Sequence, residues 1–385
     1  MNLRLAGALA VILTAIPVGA QSLDDLNIQI HGYATQGFLY TTNNNAFTTK
    51  SSDGSPAWTE ALVNITSQPI PKLRFGVQAR YFLLGNVGDA ITLDWANADY
   101  KVNDKFGVRF GKVKIPSNLF NEIQDIDPSY LWALLPQSVY PLTGRNSILA
   151  QYGGVAYGTL KLGSNMGKME YRGWGGMQVI GANDGYWLAL REGGKALPNG
   201  LSGRCMGGAL HWRTPLPGLM VGVSDIKKPA WSSKLTSGST VGTMDVKGFD
   251  EWAVFGIYEK NKVMIAGEYN KLYPPISMNL AGQITVLARN RNQWYGMASY
   301  KVTSKFTAGI YDSQQINTSL PLSAGASRFS KDWAVSGRYD FNQFLYAKAE
   351  QHFIDGTDIV YDVDLNPGGL KPTTRLTILK VGVNF

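Results

Sequence analysis

From Asn27 to the end of the chain, apolar and polar residues alternate one by one in segments of 8 to 13 residues, broken repeatedly by Gly, Pro, Asn and Asp. A period of two marks a β-strand with unlike faces, and the interruptions carry turn chemistry. Sixteen strands are predicted, at 28–40, 58–67, 72–84, 91–102, 105–115, 154–162, 167–177, 206–214, 219–226, 250–259, 263–273, 292–302, 306–314, 331–341, 344–354 and 374–385. Long helical stretches are missing, and nothing reads as a linker to a second domain.

The connections sort into two kinds. Seven are tight turns, among them Gln68-Pro69-Ile70-Pro71, Asn103-Asp104 and Asn342-Gln343. Alternating with them are long polar loops at 41–57, 116–153, 178–205, 227–249, 274–291, 315–330 and 355–373, with one short exception at 85–90 that is a candidate subunit contact. An even number of strands joined by short turns at one end and long loops at the other fits an all-β fold, a sixteen-stranded antiparallel transmembrane β-barrel with short periplasmic turns and long extracellular loops. Closure leaves no sheet edge, which lipid could not satisfy.

The faces agree. In 72–84, Lys72, Arg74, Gln78 and Arg80 oppose Leu73, Phe75, Val77, Ala79 and Tyr81; in 344–354, Tyr346, Lys348, Glu350 and His352 oppose Leu345, Ala347, Ala349 and Phe353. Tyr33, Tyr81, Tyr100, Trp212, Trp252, Trp294, Tyr300 and Trp333 are expected on the lipid side or near strand ends, as interfacial girdle residues.

Composition narrows the class. Charged residues are 17% of the chain, against ~25% in soluble domains. Past residue 20 no uncharged apolar run is long enough for a spanning helix. Arg4, the apolar stretch Leu5 to Val18 and Val18-Gly19-Ala20 predict an export signal over 1–20, removed before Gln21, which leaves 21–385 as one domain. About seven residues then precede the first strand, too few for a plug domain. A dispersed net charge of +8 on an exported chain argues against nucleic acid. Cys205 is the one cysteine, so no intrachain disulfide forms. His31, His211 and His352 fall on separate strands and build neither a catalytic triad nor a metal site. No catalytic residue, metal or cofactor is assigned.

The last strand runs from Thr374 to Phe385, with Leu379, Val381 and Val383 on the face of Phe385. This resembles the C-terminal assembly signal of Gram-negative outer-membrane proteins, and the whole of 21–385 resembles a sixteen-stranded porin. The longest connection, 116–153, follows the fifth strand, where porins place the loop that narrows the pore. Its approach, Arg109-Phe-Gly-Lys-Val-Lys-Ile-Pro116, is similar to that of phosphate-selective (O/P-type) porins, whereas the Pro-Glu-Phe-Gly-Gly motif of enterobacterial general porins is absent from 116–153. The resemblance implies outer-membrane lipid, the barrel-assembly machinery, small hydrophilic solutes and a homotrimer as partners.

A porin filters by aperture and fixed charge. In 116–153 the candidate constriction residues are Glu122, Asp125, Asp127, Tyr130 and Trp132; the facing wall bases are Arg74, Arg80, Arg109, Arg338, Lys348 and Lys380. Acids on the loop against bases on the wall set a field across the aperture, or else pin the loop to the wall. Tyr130 and Trp132 either stack on sugar rings or pack the loop. Inward-facing bases outnumber inward-facing acids, which predicts a weak anion preference. The expected function is a water-filled diffusion channel, with a substrate-specific channel (anions, sugars or small carboxylates) and a non-conducting receptor or adhesin barrel as alternatives.

Overall fold

The computed structural model describes residues 26–288, 290–358 and 361–385. The expected export signal lies outside them. The alternating segments pair into one closed antiparallel barrel of sixteen strands. In chain order the first nine are β1 (Ile28–Thr41), β2 (Ser55–Ile70), β3 (Leu73–Leu84), β4 (Val87–Asn103), β5 (Phe106–Lys114), β6 (Ala150–Lys161), β7 (Lys168–Ile180), β8 (Leu201–Arg213) and β9 (Leu219–Lys228). Two further strands outside the wall, β10 (Trp231–Ser237) and β11 (Thr240–Val246), precede β12 (Phe249–Lys260) and β13 (Val263–Leu272). Another outer pair, β14 (Pro275–Leu280) and β15 (Gln283–Ala288), precedes β16 (Arg291–Lys301), β17 (Phe306–Asn317), β18 (Phe329–Asp340), β19 (Leu345–Gly356) and β20 (Thr373–Asn384).

β1 closes the wall against β20, in register from Tyr33 opposite Asn384 to Thr41 opposite Leu376. Beyond that pairing, Gly32 and Phe385 exchange backbone hydrogen bonds of 3.0 Å in both directions, so the terminal residue completes the ladder. Every predicted strand lies in the wall. The outer surface carries the apolar half of the alternation: Val335, Leu379, Val381 and Val383 are exposed there, with Tyr100, Trp212, Trp252, Tyr300 and Trp333. Tyr33 departs from the expected girdle, being 3% exposed, with its hydroxyl 2.6 Å from Glu60 Oε1 inside the barrel. Cys205 is buried within β8 beside Val113, Val155, Trp174 and Ile226, which removes it as a cross-linking site. No helix among the described residues is long and apolar enough to cross a membrane.

At the loop end, two connections expected to be irregular are hairpins. β10–β11 and β14–β15 join through β11 and β14 into a four-stranded sheet. Trp187 and Leu197 from the preceding loop, with Leu201 at the start of β8, pack under it with Trp231, Leu235, Met244, Val246, Ile276 and Met278. The 85–90 connection shrinks to Gly85 and Asn86, because β4 begins at Val87.

Nearby, the carboxylates of Glu192, Asp362 and Asp364 bring oxygens within 4.8 Å of one another. Burial first, then the hydrogen bond and charge of Asp362, raise the Glu192 carboxyl to about 7. A carboxyl raised on folding opposes the fold as pH climbs from its unfolded value to its folded one. Glu192→Gln is therefore expected to slow tryptic nicking of these loops at pH 8 and to have a much smaller effect as pH falls toward 5. Equal rates for both proteins at pH 8 contradict that reading.

Candidate functional site: a loop anchored across the lumen

A lumen open to water would leave the polar inner face solvated. Instead Gln78, Arg80, Lys348, Glu350 and Lys380 are each at most 4% exposed. The cause is the segment between β5 and β6. At Gly111 (φ 134) the fifth strand leaves regular geometry, and after Lys114 the chain turns inward. Apolar side chains then build two cores inside the barrel. Phe120, Leu131, Trp132, Leu135, Val139 and Tyr140 pack on Ala266, Tyr295, Met297, Tyr311 and Ala334. Ala133 and Leu134 pack on Leu39, Trp58, Phe82, Leu84, Ile354, Leu376 and Ile378. The loop therefore touches walls on both sides of the lumen.

Ion pairs fix it in register. Asp127, 1% exposed, sits between Lys348 Nζ at 3.0 Å and Lys380 Nζ at 2.5 Å, and the Tyr346 hydroxyl donates to it at 2.7 Å. Gly382 allows this: a Cβ there would run into the Tyr346 ring. Lys348 also donates to the carbonyls of Asp127 and Trp132, at 2.8 and 2.9 Å. Asp125 receives Lys114 Nζ at 2.7 Å and the Gln78 amide. Arg338 donates to the carbonyls of Pro128 and Tyr130, at 2.6 and 3.0 Å. Arg80 pairs with Glu60 at 2.7 Å rather than with the loop. Glu122 faces Arg109 at 3.0 Å and Arg172 at 3.6 Å.

The structure thus gathers the predicted acids and most of the predicted bases into anchors. Trp132, 1% exposed, meets Tyr311 edge-on at 5.1 Å and packs the loop; Lys348 lies 4.6 Å over the Tyr130 ring. Arg74 stands apart, exposed, at the turn end. Phe385, 62% exposed, stands at the turn-end rim and borders the cavity there.

Three further anchors escape the sequence reading. Arg145 binds Asp94 through both guanidinium arms, at 2.7 and 3.2 Å. Asp94 faces inward because the β3–β4 register slips between Gln78 and Ala79, and a one-residue bulge reverses the faces that alternation assigns. Glu350 accepts the backbone N–H groups of Ala133 and Leu134 at 3.0 and 3.1 Å. Glu268 accepts the hydroxyls of Tyr140 and Tyr295 at 2.6 and 3.1 Å.

Burial alone would raise the Asp127 carboxyl, but Lys348 and Lys380 hold it well below the usual range. Glu122 is likewise lowered, Arg172 and Arg109 outweighing its burial. A carboxyl depressed on folding contributes stability above its unfolded value and loses it only as pH falls through the folded one. The loop is therefore expected to stay seated on acidification through the ordinary carboxylate range, near pH 4. Single-channel conductance unchanged between pH 7 and 4.5 is the expected observation; widening steps over that interval count against it.

On either side of the loop the lumen keeps a cavity. The one at the turn end, about 480 Å³, is lined by Arg74, Arg109 and Lys114 against Asp99 and Glu122. That at the loop end, about 380 Å³, is lined by Lys228 and Arg291 against Glu192, Glu251 and Asp358.

No protein-family model matches the sequence, and no curated protein does. Solved structures do match in shape. The anion-selective porin from Comamonas acidovorans superposes with a TM-score of 0.58 at 11% identity, over 93% of this chain and 99% of that one. OmpF of Salmonella typhi, in complex with daunomycin, gives 0.57 at 16% identity, over 94% and 99%. The trimer form of OmpT, an outer membrane protein of Vibrio cholerae, gives 0.53 at 12%, over 93% and 99%. Closed by sixteen strands and crossed by the segment after its fifth, this barrel has the fold of the porins.

Proposed function

We propose that the chain is an outer-membrane porin, a passive channel for small hydrophilic solutes that carries a weak anion preference, is exported by removal of residues 1–20 and assembles as a homotrimer. The observation that carries this reading is the loop seated across a charged lumen inside an apolar outer wall. A loop so placed narrows the lumen, and a cavity lies on either side of it. The trimer form described for the Vibrio OmpT supports assembly in threes.

The anion preference rests on fewer groups than the sequence suggests. Lys348 and Lys380 are spent on Asp127, and Arg80 on Glu60. At the turn end Arg109 pairs with Asp99 and Glu122, and Lys114 with Asp125, which leaves Arg74 as the one base lining that cavity with no ion pair among the described residues. The anion selectivity named for the Comamonas porin agrees in sign. Arg74→Glu turns that small positive excess into a negative one and is expected to move the reversal potential in a KCl gradient from the chloride side to the potassium side. A potential left on the chloride side would assign selectivity to other groups.

A further inference from the structure

At the turn end, strand alternation gathers bases on one face. Tyr100, Leu160 and Trp212 are exposed on the outer wall. Their neighbours Lys101, Lys161 and Arg213 therefore stand on the lumen face, at the rim and exposed. Lys168 lies directly across from Lys161 on one side and from Arg213 on the other, which makes a row of three cations over β6, β7 and β8. Like charges directly opposite one another on a sheet are destabilising.

Few acids offset them. Asp104 takes Lys101 at 2.8 Å, and Glu170 takes Arg213 together with Arg172. The Lys101 hydrogen bond holds the Asp104 carboxyl below its ordinary value, and the charges of Lys101, Lys161 and Lys168 add to the effect, so the β4–β5 turn and the row share one field. Lys161, Lys168 and the exposed Lys105 have no ion pair among the described residues.

A row of cations without partners in its own chain suits an anion that arrives from outside. Its face selects which one. On the lumen side it meets solutes at the mouth, whereas lipid headgroups lie along the outer wall. Adjacent strands are about 4.8 Å apart, so the three cations span roughly 10 Å. An anion with a single charged group reaches one or two of them, and one whose charged groups are set a strand apart reaches all three.

We propose that this row binds small polyvalent oxyanions, molecules with two or three anionic groups about one strand spacing apart, approached from the turn side. The proposal deepens the channel reading and rests on it only for the effect on current.

The probe is citrate at pH 7, with acetate at matched ionic strength as the single-charge counterpart. Calorimetric titration of the full-length protein refolded in detergent at low salt is expected to show saturable binding of citrate and none of acetate. Lys168→Gln removes the middle cation and should weaken citrate about fivefold, the upper range for an exposed charge pair. Lys331→Gln, on the outer wall at the loop end, should leave binding unchanged. In planar bilayers citrate should reduce the current steps from one side of the membrane only. Citrate binding no better than acetate, an unaltered affinity in Lys168→Gln, or equal reduction from both sides would overturn the proposal. So would binding of phosphatidylglycerol micelles with no response to citrate, which would give the row to a lipid headgroup. Saturable citrate binding that depends on Lys168, in a protein that never conducts, would uphold the site and sink the channel.

Discussion

Asp127→Asn is expected to unseat the constriction loop, giving larger and noisier current steps together with a lower unfolding midpoint. The carboxylate lies between Lys348 and Lys380, each 2% exposed. Without it, two ammonium groups remain in a dry site whose nearest other acid is Glu60, 3.9 Å from Lys380 and already engaged by Arg80. Removing one partner from a buried ion pair costs about 3–5 kcal/mol because the remaining charge is left uncompensated, a large share of the ~5–15 kcal/mol that folded domains hold. The loop can relieve that cost by leaving and letting water reach the lysines, so the loss should appear first as a widened aperture and only then as an unfolded barrel. Conductance traces in a planar bilayer, paired with thermal melts of the same preparation, read both quantities. Wild-type step size and midpoint in the variant would show that the triad does not hold the loop.

Glu350→Ala should have an effect of similar size by a different route. That carboxylate accepts the N–H groups of Ala133 and Leu134, receives the Ser336 hydroxyl, and lies 2.8 Å from His352 Nε2. Truncation strands two backbone donors in the middle of the apolar core around Trp58 and Leu376, at about 1–3 kcal/mol for each. It also leaves His352 with Asp332 as its one close acid, at 2.9 Å. Both anchors seat the same stretch of chain, from Asp127 to Leu134. Their effects should be less than additive, since a loop already released has little more to lose. A double variant whose melting shift equals the sum of the single shifts would mean that the two sites act separately.

How much of this was legible in the sequence depends on the physical scale of the feature. Alternation every second residue is local, so all sixteen wall strands and the sorting of their connections could be read directly. Phe385 with Val383 and Val381 marked the last strand for the same reason. Parity fails where the register slips: Asp94 turns inward past the irregularity at Gln78, and nothing in the residues announces a bulge. The outer sheet was hidden by composition. Trp231, Leu235, Met244 and Val246 alternate with Ser, Thr and Lys, and Ala281 and Gly282 take positive φ (51 and 81) as a two-residue hairpin turn requires. Yet the segments are polar enough overall to read as loops. That the candidate acids and bases belong to one system was visible as opposite charge. Which acid meets which base was not, since Asp127 lies 221 residues from Lys348 and 253 from Lys380. Tyr33 was misplaced because an aromatic near a strand end suits a membrane interface as well as a buried anchor.

The central claim is that a sixteen-stranded wall encloses a conducting path narrowed, but not plugged, by the segment between β5 and β6. Single-channel recording of the refolded full-length protein in a planar bilayer under a KCl gradient tests it most directly. Small, steady, long-lived steps with a reversal potential on the chloride side are predicted. Protein that is demonstrably folded as a barrel yet gives no steps would contradict the claim and leave a barrel that displays its loops.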